Sequence, residues 1–333
     1  MLCYLSFALS ASVFGTFLFG SADVVYVYQG PATSAIPAVL WKILRRIPFV
    51  ENVQDMWPES VIHSGMVGSS SVKCLLEKAI TWGCRQIYRS AGRLVVISEG
   101  AKSLLVARGV PSEKIVVISN WIEETVFHPD ARDERLAADL GFTDKFNLVY
   151  TGNVGQFQDL ANAIEVAEQL LDVPRFQLVI VGSGTMLPEL KEDAARRGLS
   201  NVRFLDRRPL QEMGRISNLA DALLVSLEDL PNFSGTVPSK TQAALATGRP
   251  IIVAIRGDAA TMIKRSGGGI TCQPSNPSSL EAAIRQLMSM SSVELAEMGA
   301  QGRSFYLEHL SLETGGRTYE QVFTDLVGAR SGR

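Results

Sequence analysis

Ser239 and Lys240 stand directly after Pro238, in a run from Gly235 that leads into an alanine-rich segment closed by Gly248 and Pro250. Proline is tolerated at a helix start because its missing N–H has no partner there, and glycine followed by proline stops a helix. The stretch therefore predicts a loop, a short helix and then a buried strand over Ile251-Ile252-Val253-Ala254. A helix start offers unpaired backbone N–H groups and a partial positive charge, and Ser239 can cap it or bind a ligand. Lys240 adds a full charge, so the combination suits an anion, most of all a phosphate. An ordinary turn of a parallel sheet would use the same residues, and the rest of the chain has to weigh against that.

Other stretches carry comparable chemistry. Tyr150-Thr151-Gly152-Asn153-Val154-Gly155-Gln156 ends a predicted strand and opens a helix, and Gly152 and Gly155 leave room for a close backbone approach beside Asn153. Val181-Gly182-Ser183-Gly184 is a second small-residue loop at a strand end. Arg207 and Arg208 precede Pro209, where two guanidinium groups could bind a phosphate or a base edge, or form a solvated pair. In the first half, Gln54-Asp55-Met56-Trp57-Pro58-Glu59-Ser60 follows a strand and offers two carboxylates. Glu59, after a proline, and Glu99, at a helix start, are weaker candidates because such residues are often only caps.

These loops need strands and helices in alternation to hold them. Apolar runs predict strands at 23–28, 48–53, 94–98 and 115–119, and then at 147–151, 177–181, 202–205, 222–225, 251–254 and 269–271. The first, within DVVYVYQ, reads as buried on both faces. Helical spacing predicts helices at 34–46, 72–89 and 99–108, and later at 160–171, 189–197, 210–219 and 279–288. Strands alternating with helices mean right-handed βαβ units and parallel sheets. A polar stretch over 123–145 marks a boundary. The expected architecture is α/β: two tandem Rossmann-like, doubly wound parallel-sheet domains facing across a cleft, the first incomplete. We place them at 1–135 and 136–304, with a C-terminal helix over 305–333 returning to the first. Ligands of doubly wound folds bind at the carboxyl ends of the strands.

Bulk properties narrow the field. The 333 residues carry a formal net charge of −2, and there is no basic run with interleaved aromatics, so nucleic acid is not an expected partner. Cys3, Cys74, Cys84 and Cys272 lack metal-site spacing and read as reduced thiols of a cytoplasmic protein. His63, His128 and His309 are too few and too scattered for a histidine-built metal site. Residues 1–22 contain no charge and run MLCYLSFALSASVFGTFLFGSA. That length could span a bilayer, but its serines, Gly15 and Thr16 make a poor span, and a signal peptide would need a basic start. We read it as a buried or membrane-touching helix feeding the first strand.

With these passages in order, the chain resembles the family-4 retaining glycosyltransferases of the two-Rossmann GT-B architecture, most closely the bacterial members that build O-antigen, capsule or exopolysaccharide units. The resemblance rests on VQDMWPES, VVISEGAKSLLVARGVPSEKIVVISNW, YTGNVGQFQDLANAIEVAEQL, VGSGTMLPELKEDAARRGLSNVRFLDRRPLQEM and LADALLVSLEDLPNFSGTVPSKTQAALATGRPIIVA, which cover about residues 4 to 288. It implies a UDP- or GDP-type sugar donor on the second domain, a lipid-linked or oligosaccharide acceptor on the first, and no metal or other cofactor. Carried over, Gly152, Asn153, Gly155, Gly182 and Ser183 would lie beside the donor diphosphate, with Pro238, Ser239 and Lys240 opposite. Arg207 and Arg208 would lie near the nucleotide, and Asp55, with Glu59 a weaker second, at the reacting sugar or acceptor hydroxyl.

The chain also departs from that pattern. Such proteins usually begin with a strand and Gly-rich loop, whereas Met1 already lies in what reads as a later helix. Many have Arg and Lys where this chain has Asn153 and Gln158, and His where it has Gln54. The paired glutamates, one of which holds the ribose, would fall on Gly235 and Ala243. Lys240 is expected to replace lost phosphate charge. Lys42, Arg45 and Arg46 beside the apolar first helix would favour peripheral contact with the cytoplasmic face of the plasma membrane. Internal packing of that helix accounts for the same residues. The expected function is a metal-independent, retaining sugar transferase. The alternatives are a glycosyltransferase-like protein that keeps only the fold or nucleotide binding, and a nucleotide-sugar epimerase on the same fold.

Overall fold

The computed structural model describes residues 2–18, 20–57 and 70–331. Two compact units emerge, one of residues Met1–Ser119 with Gly315–Arg333 and the other of Asn120–Thr314. The first contains α1 (Leu2–Leu18), β1 (Val25–Gln29), α2 (Ile36–Arg45), β2 (Phe49–Val53), α3 (Ser70–Ser90), β3 (Arg93–Val96), α4 (Glu99–Ala107) and β4 (Ile115–Val117). Its four strands pair in parallel in the order β1-β2-β3-β4. Right-handed crossovers between sequential neighbours put the connecting helices on one face. That face buries Phe49, Val53, Leu94 and Val96 against Ala35, Ala38, Ile87 and Leu105. The other face is covered by the C-terminal helix Leu312–Ser331, through Val322 and Leu326 on Val50 and Val95.

Two expectations change here. β1 is an edge strand, and its residues alternate: Tyr26 and Tyr28 are exposed, whereas Val27 and Gln29 are buried. The apolar run is thus not buried on both faces, because tyrosine fills an edge where valine would be expected to sit inside. Tyr26 meets Tyr319 and Phe323 edge-on. The first helix is not buried either. Ala8 is covered and Gly15 lies against the Trp41 ring, but Tyr4, Leu5, Phe7, Leu9, Val13, Phe14, Phe17 and Leu18 are exposed. No helix among the described residues is long and apolar enough to cross a membrane.

The second unit contains α5 (Glu134–Leu140), β5 (Phe146–Asn153), α6 (Leu160–Gln169), β6 (Phe176–Ser183), α7 (Leu187–Arg196), β7 (Val202–Leu205), α8 (Leu210–Leu219), β8 (Ala222–Ser226), α9 (Ser239–Thr247), β9 (Ile251–Ala254), α10 (Asp258–Ser266), β10 (Gly269–Thr271), α11 (Pro277–Met288) and α12 (Ser292–His309). Six parallel strands run in the order β10-β9-β8-β5-β6-β7. One face packs Ile164, Leu190 and Ile284 against Leu148, Leu178 and Ile180. The other packs Ile216, Leu245, Ile263 and Tyr306 against Val149, Val179 and Val253.

The units divide at Asn120 and Gly315, whereas composition put the breaks at 136 and 305. Residues 120–133 are polar but bound to the second unit. Ile122 and Phe127 join its core, and the Asn218 amide donates to the His128 carbonyl and accepts from the Asp130 N–H. The C-terminal tail is two helices, not one. The chain breaks between His309 and Leu312, where the Ser311 hydroxyl accepts from the Thr314 N–H and so caps the final helix, α13 (Leu312–Ser331).

One residue of the first core is chemically out of place. Glu51 lies fully buried on the same face of β2 as Phe49 and Val53, and neither carboxyl oxygen has a hydrogen-bond partner. Burial raises its pKa to about 8, with the Lys114 charge pulling the other way. A carboxyl whose pKa rises on folding stabilises the fold below its unfolded value and loses that contribution as pH rises through the folded one. Lys114, lowered to about 8 by burial, alters stability only at and above that pH. We therefore expect Glu51→Gln to stabilise the protein relative to wild type by an amount that grows between pH 5 and pH 8. Thermal unfolding should show a gap of several degrees at pH 8 that nearly closes at pH 5; a constant gap would refute the buried, protonated carboxyl.

Candidate functional site

The chain enters the second sheet at β5, runs outward through β6 and β7, and returns on the other side of β5 at β8. Strand order reverses between β5 and β8, which opens a crevice at their carboxyl ends. The loop after β5 is fixed across it. Ser226 Oγ, ending β8, donates to the Gln158 carbonyl at 2.6 Å, and the Glu228 N–H donates to the Phe157 carbonyl at 3.0 Å. The Phe157 and Phe233 rings meet edge to face with centroids 5.7 Å apart.

The glycine stretches read as loops are in fact the last rungs of a ladder. β5 and β6 stay in register through Gly152 opposite Gly182 and Asn153 opposite Ser183. A Cβ on Gly182 would overlap the Gly152 carbonyl oxygen, and one on Gly184 the Val154 carbonyl. Tight packing of one backbone on another thus accounts for Gly182 and Gly184 without a ligand. Gly152 differs, since its φ of +117° suits glycine and a Cβ there would stand 2.8 Å from Lys240 Cε. Beyond it the Gln158 carboxamide oxygen accepts from the Gly155 N–H at 2.9 Å and from Asn153 Nδ2 at 3.3 Å.

Lys240 reaches this backbone from the first turn of α9. Pro238 takes the cap position with no side-chain cap, and Gly248 ends the helix at a φ of +65°. Ser239 is exposed at the first helical position and does not cap, a role the sequence left open for it. The Lys240 ammonium donates to the Tyr150 hydroxyl and sits 3.9 Å from the centre of that ring. Tyr150 is fully buried, and its hydroxyl donates to the Asn153 carbonyl. Burial lowers the Lys240 pKa to about 8, with no carboxylate among the described residues offsetting it, and burial raises that of Tyr150. The result is a largely desolvated ammonium at the switch point with a phenol, not an anion, against it. Chemically it can receive an anion, and the free N–H groups of the α9 start point the same way.

Lys240, Gly152, Asn153, Gly155, Gly182 and Ser183 therefore come together, through β5, β6 and α9. Arg207 and Arg208 do not join them. Both are exposed after the edge strand β7, and Arg208 lies 3.7 Å from Glu212 one helical turn on. Ala243, three residues beyond Lys240, is half-buried, and Gly235 has open space around its Cα. In the first unit Asp55 is exposed in the turn after β2. Its backbone carbonyl accepts from Gln29 Nε2 at 3.3 Å, and partial desolvation raises its carboxyl pKa. Glu99 falls in the first turn of α4 beside the Ser98 cap. Glu59 lies outside the described residues. The sequence reading passed over Tyr150, whose Lys240 partner only the topology brings near, and the structural use of Gln158, whose local bonds to Gly155 and Asn153 have no signature in residue type.

Comparison with known proteins agrees with this fold. Residues 145–290 match the family model described as glycosyl transferases group 1, and residues 5–121 match a glycosyl transferase 4-like domain. WbjE of Pseudomonas aeruginosa, described as a glycosyltransferase, is 28% identical over 319 residues, covering 91% of this chain and 78% of its own. WcaI of Escherichia coli K12, described as a colanic acid biosynthesis glycosyl transferase, is 26% identical over 247 residues, covering 72% and 60%. Among solved structures, Anabaena HepE in complex with UDP superposes with a TM-score of 0.77 at 14% identity, covering 97% of this chain and 82% of that one. A glycosyltransferase from Rickettsia africae gives 0.69 at 16% identity, covering 97% and 81%. At such identities the superpositions establish the fold.

The ladder makes a direct prediction. Gly182→Ala must push apart the ends of β5 and β6, and we expect it to destabilise the second unit by about 2 kcal/mol or more. Gly235→Ala, placed in open space, should stay within about 0.5 kcal/mol of wild type. Denaturant unfolding of both variants measures this, and equal midpoints would show that the glycines are not held by backbone contact.

Proposed function

This chain belongs to the group 1 glycosyltransferases, GT-B enzymes of the O-antigen and capsule type, and from that premise we propose that it moves a sugar from a UDP- or GDP-type donor to a lipid-linked or oligosaccharide acceptor, with retention and without a metal. The observation that carries the donor reading is the Lys240 ammonium, partly buried at the switch point against a phenol and a glycine backbone. HepE has been solved with UDP and with UDP-glucose, which supports a nucleotide-sugar for the corresponding crevice here.

In this reading the diphosphate lies between the β5 and β6 ends and the α9 start. Gly152, Asn153, Gly155, Gly182 and Ser183 line one side, with Pro238, Ser239 and Lys240 opposite. As the bond from anomeric carbon to phosphate oxygen breaks, negative charge gathers on the leaving diphosphate. Lys240 and the α9 amides meet it where water is excluded, so their stabilisation grows toward the transition state. Asp55, whose raised pKa gives its carboxyl some proton affinity, is assigned to the reacting sugar or acceptor hydroxyl. Arg207 and Arg208 are left as outer contacts to the nucleotide.

The acceptor side carries a membrane proposal. The first unit holds 14 basic and 9 acidic residues, the second 18 and 25, so the chain's net charge of −2 divides as +5 and −7. The apolar surface of α1 continues into exposed Ile43 and Leu44 of α2, next to Lys42, Arg45 and Arg46. Apolar side chains with a basic border suit the interface of an anionic bilayer, which supports work at the cytoplasmic membrane face.

Two measurements test the proposal. A saturating UDP-, GDP-, TDP- or ADP-sugar should raise the unfolding temperature, since a ligand at 100-fold its dissociation constant adds about 2.7 kcal/mol. Lys240→Ala should abolish that shift and leave the unliganded transition in place; a full shift in Lys240→Ala would move the donor site elsewhere. The protein should also float with vesicles rich in anionic lipid and not with neutral ones, and Phe14→Ser with Phe17→Ser should reduce flotation several-fold. Equal recovery from both vesicle types would exclude the charge-assisted contact.

A further inference from the structure

Tyr150 stands first in one of the passages that carry the resemblance but is assigned no role there, yet its side chain links Lys240 to Asn153 in the candidate donor site. Its ring is fully buried in the core of the second unit, and its hydroxyl lies at the carboxyl end of β5. That hydroxyl accepts from the Lys240 ammonium and donates to the Asn153 carbonyl, so both of its hydrogen-bonding directions are specified. The ring also lies under the ammonium, 3.9 Å from centroid to nitrogen, in cation–π contact. Lys240 thereby passes over Gly152, where any Cβ would collide with its stem.

Where many relatives are expected to carry Arg and Lys, the β5 loop has Asn153 and Gln158, and these two bond to each other. The cation for the diphosphate therefore has to arrive from another element and be held there. A free lysine samples many rotamers, and fixing one costs up to about 2 kcal/mol. An acceptor oxygen and a π-face supplied by one rigid ring lower that cost before the ligand arrives.

We infer that Tyr150 is the positioning residue of the donor site: its hydroxyl and ring hold the Lys240 ammonium over the Gly152–Asn153 backbone, where it meets the donor diphosphate. Tyr150 contacts no reacting atom and acts through Lys240. The inference rests on the donor reading above. It also carries a pH signature. Burial is what lowers Lys240, to about 8, and Tyr150 is the titratable group facing it from β5. The protonated form binds the diphosphate, so affinity should fall as pH rises above about 8. Removing the hydroxyl deletes an acceptor that binds the ammonium more strongly than the neutral amine, which lowers the Lys240 pKa further and moves the fall to lower pH.

The experiment compares UDP and GDP with UMP and GMP, by calorimetry from pH 6 to pH 9.5, on wild type, Tyr150→Phe and Lys240→Ala. We expect Tyr150→Phe to bind the diphosphates about tenfold more weakly at pH 7.5, as loss of a charge-assisted hydrogen bond implies. Its alkaline fall should begin about one pH unit earlier, with a smaller change for the monophosphates. Unfolding by circular dichroism shows whether the variant keeps its fold. Should it not, the Lys240 titration followed by lysine-ε NMR in wild type stands in its place. An ammonium pKa near 8 that rises with UDP or GDP supports the positioned cation, and an unshifted lysine near 10.5 overturns it. If Lys240→Ala loses the diphosphates while Tyr150→Phe matches wild type in affinity and pH limb, the positioning role is wrong and the donor site stands. If wild type binds no UDP, GDP, TDP or ADP, the donor reading falls and this inference with it.

Discussion

The second unit depends on one electrostatic constraint: an ammonium taken partly out of water with no carboxylate set against it among the described residues. Leaving a charge in that condition is costly, and proteins usually pair it or let it lose its proton. Here the compensation is partial. Tyr150 offers one acceptor and a π-face, and the lowered Lys240 pKa records what remains uncompensated. That residue of unfavourable energy is what an incoming diphosphate can relieve. The surrounding structure keeps the ammonium in place: glycine at 152 clears its path, the β5–β6 ladder fixes the backbone beneath it, and Ser226 ties the following loop to β8.

Much of the scaffold was readable from periodicity alone. The strands Val202–Leu205, Ile251–Ala254 and Gly269–Thr271 and the helix Leu210–Leu219 have the bounds their apolar spacing predicts. What escaped was short or nonlocal. Helix Glu134–Leu140 is under two turns long and sits in a polar stretch, so Leu136, Ala137 and Leu140 are too few to establish a period. The break before Leu312 depends on one serine hydroxyl inside an otherwise continuous helical pattern. The candidate site divided the same way. Its glycines and Lys240 declared themselves by type and local context. Tyr150 could not, because the separation of 90 positions between it and Lys240 is closed only by the return of the chain to β8.

The first unit shows the same physics with opposite outcomes. Glu51 is a polar group buried with no hydrogen-bond partner for its carboxyl oxygens, and its acidity shifts until the carboxyl is mostly neutral at pH 7. The α1 side chains are apolar groups left facing water, and they have no proton to adjust. A titratable group can adapt to the wrong solvent at the expense of its charge, whereas a phenylalanine can only find another surface. This asymmetry is why the exposed helix is read as an interface and the buried carboxyl as a determinant of stability.

The division of charge sharpens the role of Lys240. A unit carrying −7 repels a nucleotide diphosphate at long range, so its overall field cannot be what captures the donor. Screening limits that repulsion to about 8–10 Å at physiological salt, and inside that distance the local dielectric decides. A single desolvated ammonium and the start of a helix act there at far lower effective dielectric than the surface acids, which stand in water. Under the proposed donor reading, burial, which costs the lysine part of its basicity, is also what would let one cation prevail over a negative domain. Were Lys240 solvated like Arg207 or Arg208, the same formal charge would count for little against that background.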